Sequence, residues 1–460
     1  MPASSANNLM LICPAAKTEV RSLHFFEKAL IGIGIFEIPL QLDKYLMYYT
    51  DDGMLGAVAG FNVSILLVCL VVLYWNWFLQ VMARGPETGR VLRKTFGTTK
   101  IFYLAAILVS SLTAVAPFLS YFEFFMVFQG YLLFFYLANR IETREDFLWV
   151  LGWLMAALAF QGVVMIGLKL MGSSMYGATK KLGPISFAVW EDGRTAGTMG
   201  SAVVAGSVMA MTFLPISGLI FSKTARAWLP AVFVALALGA IGILFTQTRG
   251  ALITLFFGAI ILGVGCWARQ WLPKYTFQAL LIGSVIALVP AYDLYQNRIQ
   301  KGDHGSAKSR EHLAGIAIDI LSDDPIFGYG AGNCHRACQK YSDQGEFRSE
   351  WYYTIHCKYL VVWIETGILG LTFFLLTLGS SIRDGWLAWR TRNRFFGPIG
   401  LAISAAIIGQ MVHMIVDIFN SRLQVQYLWV LFGLAASARS IAQFESSYPV
   451  TETAVEGDDV

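Results

Sequence analysis

Long uninterrupted apolar runs constrain this chain more than any other feature of its sequence. They are roughly 17–25 residues long, the length that a helix needs to cross a hydrocarbon core about 30 Å thick. Charged residues make up 14% of the 460 residues, well below the roughly 25% typical of soluble domains. These observations exclude a soluble enzyme, a secreted disulfide scaffold and a disordered chain.

The apolar runs predict an all-α polytopic membrane protein with about twelve transmembrane helices. They lack the period-two alternation of barrel strands, so helices must satisfy the backbone polar groups in lipid. The first run is the least regular, because Glu27, Lys28 and Glu37 interrupt it. The predicted spans are 24–41, 54–80, 101–119, 122–138, 147–171, 199–221, 227–245, 250–267, 275–291, 357–380, 396–418 and 424–438.

The distribution of Lys and Arg predicts that both termini lie in the cytoplasm. In that orientation the inner loops hold fifteen Lys and Arg residues and the short outer loops hold six, in line with the positive-inside rule. The even number of spans agrees, and no cleavable signal peptide is evident. The net charge of +4 is too small to suggest a nucleic-acid partner.

Polar segments divide the chain into four predicted parts. Residues 1–291 hold helices 1–9 with an outer loop at 172–198, and residues 292–356 form a long outer loop with four of the six histidines. Residues 357–440 hold helices 10–12, and residues 441–460 form an inner tail. A connection as long as 292–356 is uncommon unless it has a function.

Part of the long outer loop has helical spacing. Leu313, Ile316, Ala317 and Ile320 fall on one face of a predicted helix at 310–321. A Pro and three closely spaced glycines follow it and break the pattern. We expect a helix lying on the membrane surface, followed by a glycine-rich turn.

Three arginines fall on the predicted outer face, where the positive-inside rule disfavours them: Arg194, Arg249 and Arg310. The planar fork of arginine pairs with phosphate through two parallel hydrogen bonds, so several at one face suit a diphosphate. The alternative for each is a lipid headgroup or a nearby carboxylate.

A histidine and three further ionisable groups are candidates for chemistry. His356 lies at the mouth of the tenth span, where a neutral imidazole can accept a proton from an attacking hydroxyl; otherwise it is a surface residue. Glu365 lies two turns into that span, and His413 and Asp417 share one face of the eleventh. Ionisable groups inside a span are functional candidates, although a structural hydrogen-bonded pair is equally consistent with the sequence.

Cysteines in the long outer loop leave three possibilities open. Cys334 and Cys338 flank His335, and in an oxidising compartment they form a disulfide or remain free thiols. A zinc site with His356 and Cys357 ranks below these, because the spacing is not a standard finger pattern. We expect no metal and no cofactor.

Two stretches together resemble the O-antigen ligase and polymerase superfamily of bacterial envelope proteins. The first is Thr-Arg-Gly-Ala-Leu-Ile at 248–253, at the start of an apolar span. The second is Asp-Pro-Ile-Phe-Gly-Tyr-Gly-Ala-Gly-Asn at 324–333, together with a later pattern. That pattern consists of His356 and Cys357, nine further residues, Gly367, two residues and Gly370. Cys357 stands where the family has an amide or a hydroxyl. The resemblance covers roughly residues 190–380.

The resemblance implies a metal-independent membrane glycosyltransferase with a GT-C-like fold. The enzyme would take a glycan from undecaprenyl diphosphate at the periplasmic face of the inner membrane, in lipopolysaccharide biosynthesis. A ligase transfers the glycan to a sugar hydroxyl of lipid A–core, and a polymerase transfers it to another lipid-linked repeat. The implied partners are therefore these substrates and membrane lipid.

The resemblance also implies roles for individual residues. His356 matches the histidine of the family and would be the base that deprotonates the acceptor, giving single displacement with inversion. Arg194, Arg249 and Arg310 would stabilise the diphosphate as the glycosidic bond breaks. Apart from the resemblance, the position of Glu365, His413 and Asp417 inside spans makes them candidates for a supporting role around these groups. The pattern after His356 favours a ligase over a polymerase.

Two other classes of protein remain as alternatives. A secondary transporter also has about twelve spans and intramembrane charges, but its polar groups lie near the midplane, whereas those of this chain cluster at one face. A non-catalytic envelope-assembly protein would be indifferent to His356→Ala.

Overall fold

The computed structural model describes residues 22–54, 56–84, 95–222, 227–272, 306–342 and 355–447. It confirms an all-α polytopic membrane protein. In the described chain nine helices are long and apolar enough to cross a membrane. The helices are α1 Phe25–Glu37, α2 Thr50–Met54, α3 Ile65–Arg84, α4 Thr98–Ser110, α5 Pro117–Arg140, α6 Arg144–Leu170, α7 Ala202–Ser217, α8 Leu229–Thr246, α9 Arg249–Ala268, α10 Ser306–Asp323, α11 Cys334–Ser342, α12 Lys358–Arg390, α13 Phe396–His413 and α14 Arg422–Ser447.

Most predicted spans correspond to helices, but several bounds differ. The prediction that the second span begins at 54 is wrong, because a strand precedes α3 and the helix begins at Ile65. The third span ends at Ser110, not 119, since Pro117 begins the next helix. The last helix continues past 440 to Ser447.

The first span, the ninth span and the C-terminal tail differ in outcome from the other predicted segments. The first span contains only thirteen helical residues, followed by a 3-10 turn with Pro39. The ninth span, at 275–291, and residues 448–460 of the predicted inner tail lie outside the described residues. The total of twelve spans therefore stays a prediction.

Two small antiparallel sheets lie in connections where the sequence predicted only spans or loops. Strand β1, Asp43–Tyr48, pairs with β2, Gly60–Ser64. Strands β3 Thr179–Leu182, β4 Ile185–Val189 and β5 Thr195–Gly197 form the second sheet in that order. The second sheet lies within the predicted outer loop 172–198 and places residues 190–194 in a tight connection between β4 and β5.

Hydroxyl groups connect neighbouring helices inside the bundle. Thr254 Oγ1 of α9 donates to the carbonyl of Gly409 in α13 at 3.0 Å, and Ser437 Oγ of α14 donates to the carbonyl of Leu137 in α5 at 2.8 Å. Such bonds stabilise helix packing where apolar contact with a neighbour is no more favourable than contact with lipid. They fix the relative positions of the helices whose ends form the site.

Ion pairs join the helices at the end of the bundle where α1 begins. Arg140 pairs with Glu27 at 2.7 Å, and both side chains are buried. Arg439 of α14 pairs with Asp384 of α12 at 2.8 Å. The two small sheets, α10 and α11 lie towards the other end, where α7, α9, α12 and α14 begin.

The apolar face predicted in the long outer loop is confirmed. Leu313, Ile316, Ala317 and Ile320 of α10 are buried and belong to one apolar cluster with residues of α11 and the first turns of α12. The helix is longer than predicted, and the cluster anchors it over the start of α12. Its placement on a membrane surface stays a prediction.

The glycine-rich turn docks on a break in α12. Gly367 interrupts the helix with φ 66°, a conformation that glycine adopts without the penalty of a Cβ. Tyr329 N donates to the carbonyl of Ile364 at 2.8 Å, and Ile368 N donates to the carbonyl of Pro325 at 3.2 Å. The turn thus bonds backbone groups on both sides of the break.

The far side of the same turn holds the connection between α4 and α5. Asn333 Oδ1 accepts from Ala116 N at 2.8 Å, and Ala331 N donates to Ser110 Oγ at 3.0 Å. Ser120 Oγ donates to the carbonyl of Ala331 at 2.9 Å. The family-like stretch 324–333 therefore joins the α4–α5 connection to α12.

Candidate functional site

A cavity of about 500 Å³ lies where the ends of several helices meet. Its walls come from the starts of α7, α9 and α14, the end of α13, the β4–β5 connection, the first turns of α10 and the segment just before α12. Six of the seven residues that the sequence singled out line it: Arg194, Arg249, Arg310, His356, His413 and Asp417. Glu365 lies elsewhere.

The turn between α8 and α9 presents Arg249 to this cavity. Gln247 adopts a left-handed conformation with φ 50°, which reverses the chain between the two helices. Thr248 Oγ1 donates to the carbonyl of Ala202 at 2.9 Å, so the turn is fixed to the start of α7. Arg249 is the first residue of α9 and is exposed. The N-terminus of α9 adds its own favourable field for an anion.

Gly250 brings the ring of His413 against the start of α9. A Cβ at this position would lie 2.1 Å from His413 Cδ2 and 2.3 Å from His413 Nε2. Any larger residue would displace the imidazole, which is buried. The Arg-Gly pair of the motif at 248–253 thus combines an exposed guanidinium with room for a second cavity residue.

His413 and Asp417 lie near each other, but not on one helix. The prediction that this helix continues to 418 is wrong, since α13 ends at His413. The residues that follow it are apolar, but they form a turn. Gln410 Nε2 lies 3.3 Å from His413 Nδ1. Gln424 Nε2 donates to Asp417 Oδ2 at 2.7 Å. Asp417 and Arg310 are the charged neighbours of His413.

Arg194 is held by its own loop. Its Nε donates to Asp192 Oδ2 at 2.7 Å, and its guanidinium carbon lies 4.4 Å from the ring centroid of Trp190. The carboxylate partner that the sequence left open is therefore present, and Arg194 is mostly buried. Arg249 and Arg310 are exposed by comparison.

The chain around His356 is tied to the end of α13. Lys358 N donates to the carbonyl of Met414 at 2.9 Å, and Tyr359 Oη donates to the carbonyl of Met411 at 2.7 Å. His356 is half-buried at the cavity wall. Cys357 is the N-cap of α12 and makes no side-chain capping bond within the described chain, in keeping with its departure from the family pattern.

Glu365 belongs to a second, buried cluster with Glu123 and Lys358. All three side chains are less than a tenth exposed, and they interact electrostatically. Glu365 Oε1 also accepts from Cys334 N at 3.2 Å, which links the cluster to the glycine-rich turn. No contact among the described residues supports the prediction that Glu365 assists the cavity residues.

Sequence reasoning missed several residues of the two clusters. Glu123 and Lys358 are isolated charges at the edges of predicted spans, and that signal could have found them. Trp190, Gln247, Asn420 and Gln424 also line the cavity. Uncharged side chains in short connections carry no comparable signal.

The cysteines and the histidine of α11 make contacts other than those of the zinc site that the sequence left open. Cys334 and Cys338 are free thiols, and a hydrogen bond with Cys338 together with burial raises the pKa of Cys334. His335 Nε2 lies 2.7 Å from Asp52 Oδ1. Arg336 donates to both oxygens of Asp52 at 2.9 and 3.1 Å. Among the described residues no group of three or more His, Cys, Asp or Glu could hold a metal ion.

Opposing effects set the protonation of the Asp52–His335 pair. Burial lowers the pKa of His335 in spite of the neighbouring carboxylate. Burial acts to raise the pKa of Asp52, but hydrogen bonds from Arg336 and His335 outweigh it and leave that pKa below its ordinary value. A neutral His335 and an ionised Asp52 therefore clamp α11 to α2 at neutral pH.

A comparison with protein families finds a match that includes part of this cavity. Residues 231–375 match the family model described as O-antigen ligase. The resemblance to the O-antigen ligase and polymerase superfamily is confirmed. The matched segment contains Arg249, Arg310, His356 and Glu365, whereas Arg194, His413 and Asp417 lie outside it. A comparison with curated proteins finds no match.

The match supports the coarser functional conclusions. Members of this superfamily are membrane glycosyltransferase-like enzymes that act on lipid-linked glycans and lipid acceptors. Together with its apolar helices, the match supports a multi-pass membrane protein.

Proposed function

We propose that the protein is an O-antigen ligase of a bacterial inner membrane. It transfers a glycan from undecaprenyl diphosphate to a sugar hydroxyl of lipid A–core at the periplasmic face, without a metal and with inversion. The observation that carries the proposal is the single cavity that contains three arginines and His356, two of those arginines lying with His356 in the family-matched segment.

The arginines suit the leaving group. As the glycosidic bond breaks, its electron pair moves to the diphosphate oxygen, where negative charge develops. Arg249 and Arg310 supply exposed guanidinium groups at the cavity, and fixed cationic donors stabilise such charge without reorganisation. Arg194 adds a third, already oriented by Asp192 and Trp190.

His356 suits the acceptor. The acceptor oxygen attacks the anomeric carbon while its proton passes to the imidazole, so the new bond forms opposite the leaving diphosphate. A base of this kind must be within hydrogen-bond reach of the hydroxyl, and a half-buried position on the cavity wall allows this. His413 and Asp417 line the same cavity and support the charge distribution around it.

Polymerase activity is the alternative, because the same groups would serve an acceptor that is itself lipid-linked. A chromosomal deletion distinguishes the two: loss of all attached O-antigen indicates a ligase, and a single attached repeat indicates a polymerase. We expect the first result, with restoration by the wild-type gene and not by the His356→Ala gene.

The proposed sidedness has its own test. Ser322 at the end of α10 and Ser446 near the end of α14 are both exposed and belong to opposite ends of the bundle. In a cysteine-free background, Ser322→Cys should react with a membrane-impermeant maleimide in intact cells and Ser446→Cys only after lysis. The reverse pattern would contradict a periplasmic cavity.

Uptake of solute by liposomes that contain the protein, lost on changing Arg249, would instead favour a transporter.

A further inference from the structure

Hydrogen bonds of the β4–β5 connection hold Trp190 at the cavity. Its backbone N donates to the carbonyl of Arg194, and Gly193 N donates to the carbonyl of Trp190, both at 2.9 Å. Lys169 Nζ of α6 donates to the carbonyl of Gly193 at 2.9 Å. Its indole Nε1 donates to the carbonyl of Gly200 at 3.3 Å. The ring therefore lines the cavity in one defined orientation.

The same short segment connects Trp190 to the arginine turn. Trp190 bonds the carbonyl of Gly200, and Thr248 bonds the carbonyl of Ala202. Two residues span at most about 7 Å of chain. The indole and the turn that carries Arg249 are therefore attached to one segment at positions two residues apart, and both line the cavity.

An exposed indole suits a neutral sugar and not a phosphate. The face of an aromatic ring carries negative quadrupole charge, which attracts the C–H groups of a pyranose and repels an anion. Trp190 keeps 36% of its surface exposed, although the Arg194 guanidinium lies against its ring. Gln247 also lines the cavity, and its amide can donate to and accept from sugar hydroxyls.

We propose that Trp190 is a stacking platform for the sugar next to the diphosphate of the donor. This inference rests on the proposed function and adds a subsite to it: the β4–β5 connection recognises the glycan, while the α8–α9 turn recognises the diphosphate. Trp190 then contributes to donor selection and not to proton transfer.

Two ligands separate these contributions: undecaprenyl diphosphate carrying the glycan, and undecaprenyl diphosphate alone. Binding of each to purified protein in nanodiscs is measured for wild type, Trp190→Leu and Trp190→Phe. The control is Trp228→Leu, which changes an equally exposed tryptophan at the start of α8, on the opposite end of the bundle.

The leucine variant should weaken binding of the glycan-bearing lipid roughly three- to tenfold more than it weakens binding of the bare lipid. The phenylalanine variant, which keeps a ring, should lie closer to wild type. Equal weakening for both lipids would overturn the proposal, because Trp190 would then act only by holding Arg194. Unchanged binding of both would also overturn it. Failure of the proposed function looks different: the wild-type protein would bind neither lipid.

Discussion

Arg140, at the end of the bundle where α1 begins, differs from the two exposed arginines of the cavity. At the end where α1 begins, Arg140 is buried and pairs with Glu27 at 2.7 Å, and its guanidinium lies 5.6 Å from the ring centroid of Trp77. At the cavity end, Arg249 and Arg310 are exposed, and Asp192, the carboxylate beside Arg194, is itself half exposed. The charge of Arg140 holds helices together, whereas the charges of Arg249 and Arg310 face a space that a ligand can enter.

This difference separates two effects of mutation. A buried pair contributes to the folded state, because removing one partner leaves an uncompensated charge. An exposed cation at a cavity contributes little to folding and can be retained for a ligand. Variants at the cavity should therefore change activity at constant stability, and variants at the other end should do the reverse.

The largest change in activity is expected for His356→Ala. Loss of a general base typically lowers the rate about 10²–10⁴-fold, while donor binding and the thermal unfolding midpoint should stay near those of wild type. His356→Gln should be nearly as poor, because an amide can bond the hydroxyl but cannot take its proton. His312→Gln, on α10, is the matched control. Full activity in both His356 variants would remove this residue from the mechanism and make His413 the next candidate.

Arg140→Ala should give the opposite phenotype. Breaking a buried ion pair costs about 3–5 kcal/mol, measured as a lower free energy or midpoint of unfolding, while the turnover of the folded fraction stays unchanged. Arg144→Ala removes an exposed partner of Glu445 and should cost at most about 1 kcal/mol. Similar losses of stability in the two variants would remove the contrast between buried and exposed charge.

Arg249→Lys tests whether the cavity needs the guanidinium fork or only its charge. Losing one charge-assisted hydrogen bond costs about 1.5–3 kcal/mol, which corresponds to a rate roughly ten- to a hundredfold lower. Arg269→Lys, at the other end of α9, should leave the rate unchanged. If Arg249→Lys turns over like wild type, Arg249 acts structurally or as a simple counter-charge.

The smallest effect concerns the clamp between α11 and α2. Because the pKa of His335 is lowered in the folded protein, the unfolded chain takes up a proton first as the pH falls below about 6.5. Stability that is fully present above this pH is therefore lost as the pH falls towards the folded-state pKa. The Asp52 contribution, also from a lowered pKa, is lost only at more acidic pH, below about 4. The unfolding midpoint of His335→Gln should vary less between pH 7 and 5.5 than that of wild type; equal slopes would contradict the assignment.

The helix interiors could be predicted from the sequence, but their ends could not. Hydropathy depends on a run of apolar residues, and it continues through residues such as Ile415 and Val416 that follow the end of α13. It also continues through Val63 of β2, where pairing with β1 replaces a helix that the composition alone allows. Tertiary hydrogen bonds decide such positions, and they have no local signature.

The charged residues of the cavity were likewise predictable, but not their partners. An arginine on the outer face or a histidine at a span end is conspicuous in an apolar sequence. The contacts that orient them depend on chain segments distant in sequence, as Gly250 against His413 and Thr248 against Ala202 illustrate. Trp190 carried no signal, because tryptophan is common near membrane surfaces.

Reconstituted transfer tests the central claim most directly. Purified wild-type protein is given undecaprenyl diphosphate carrying a glycan and a lipid A–core acceptor, with and without EDTA, and the new linkage is analysed by NMR. The proposed mechanism predicts transfer with inversion at the anomeric carbon and the same rate in EDTA. A retained anomeric configuration, or activity lost in EDTA and restored by zinc, would contradict it.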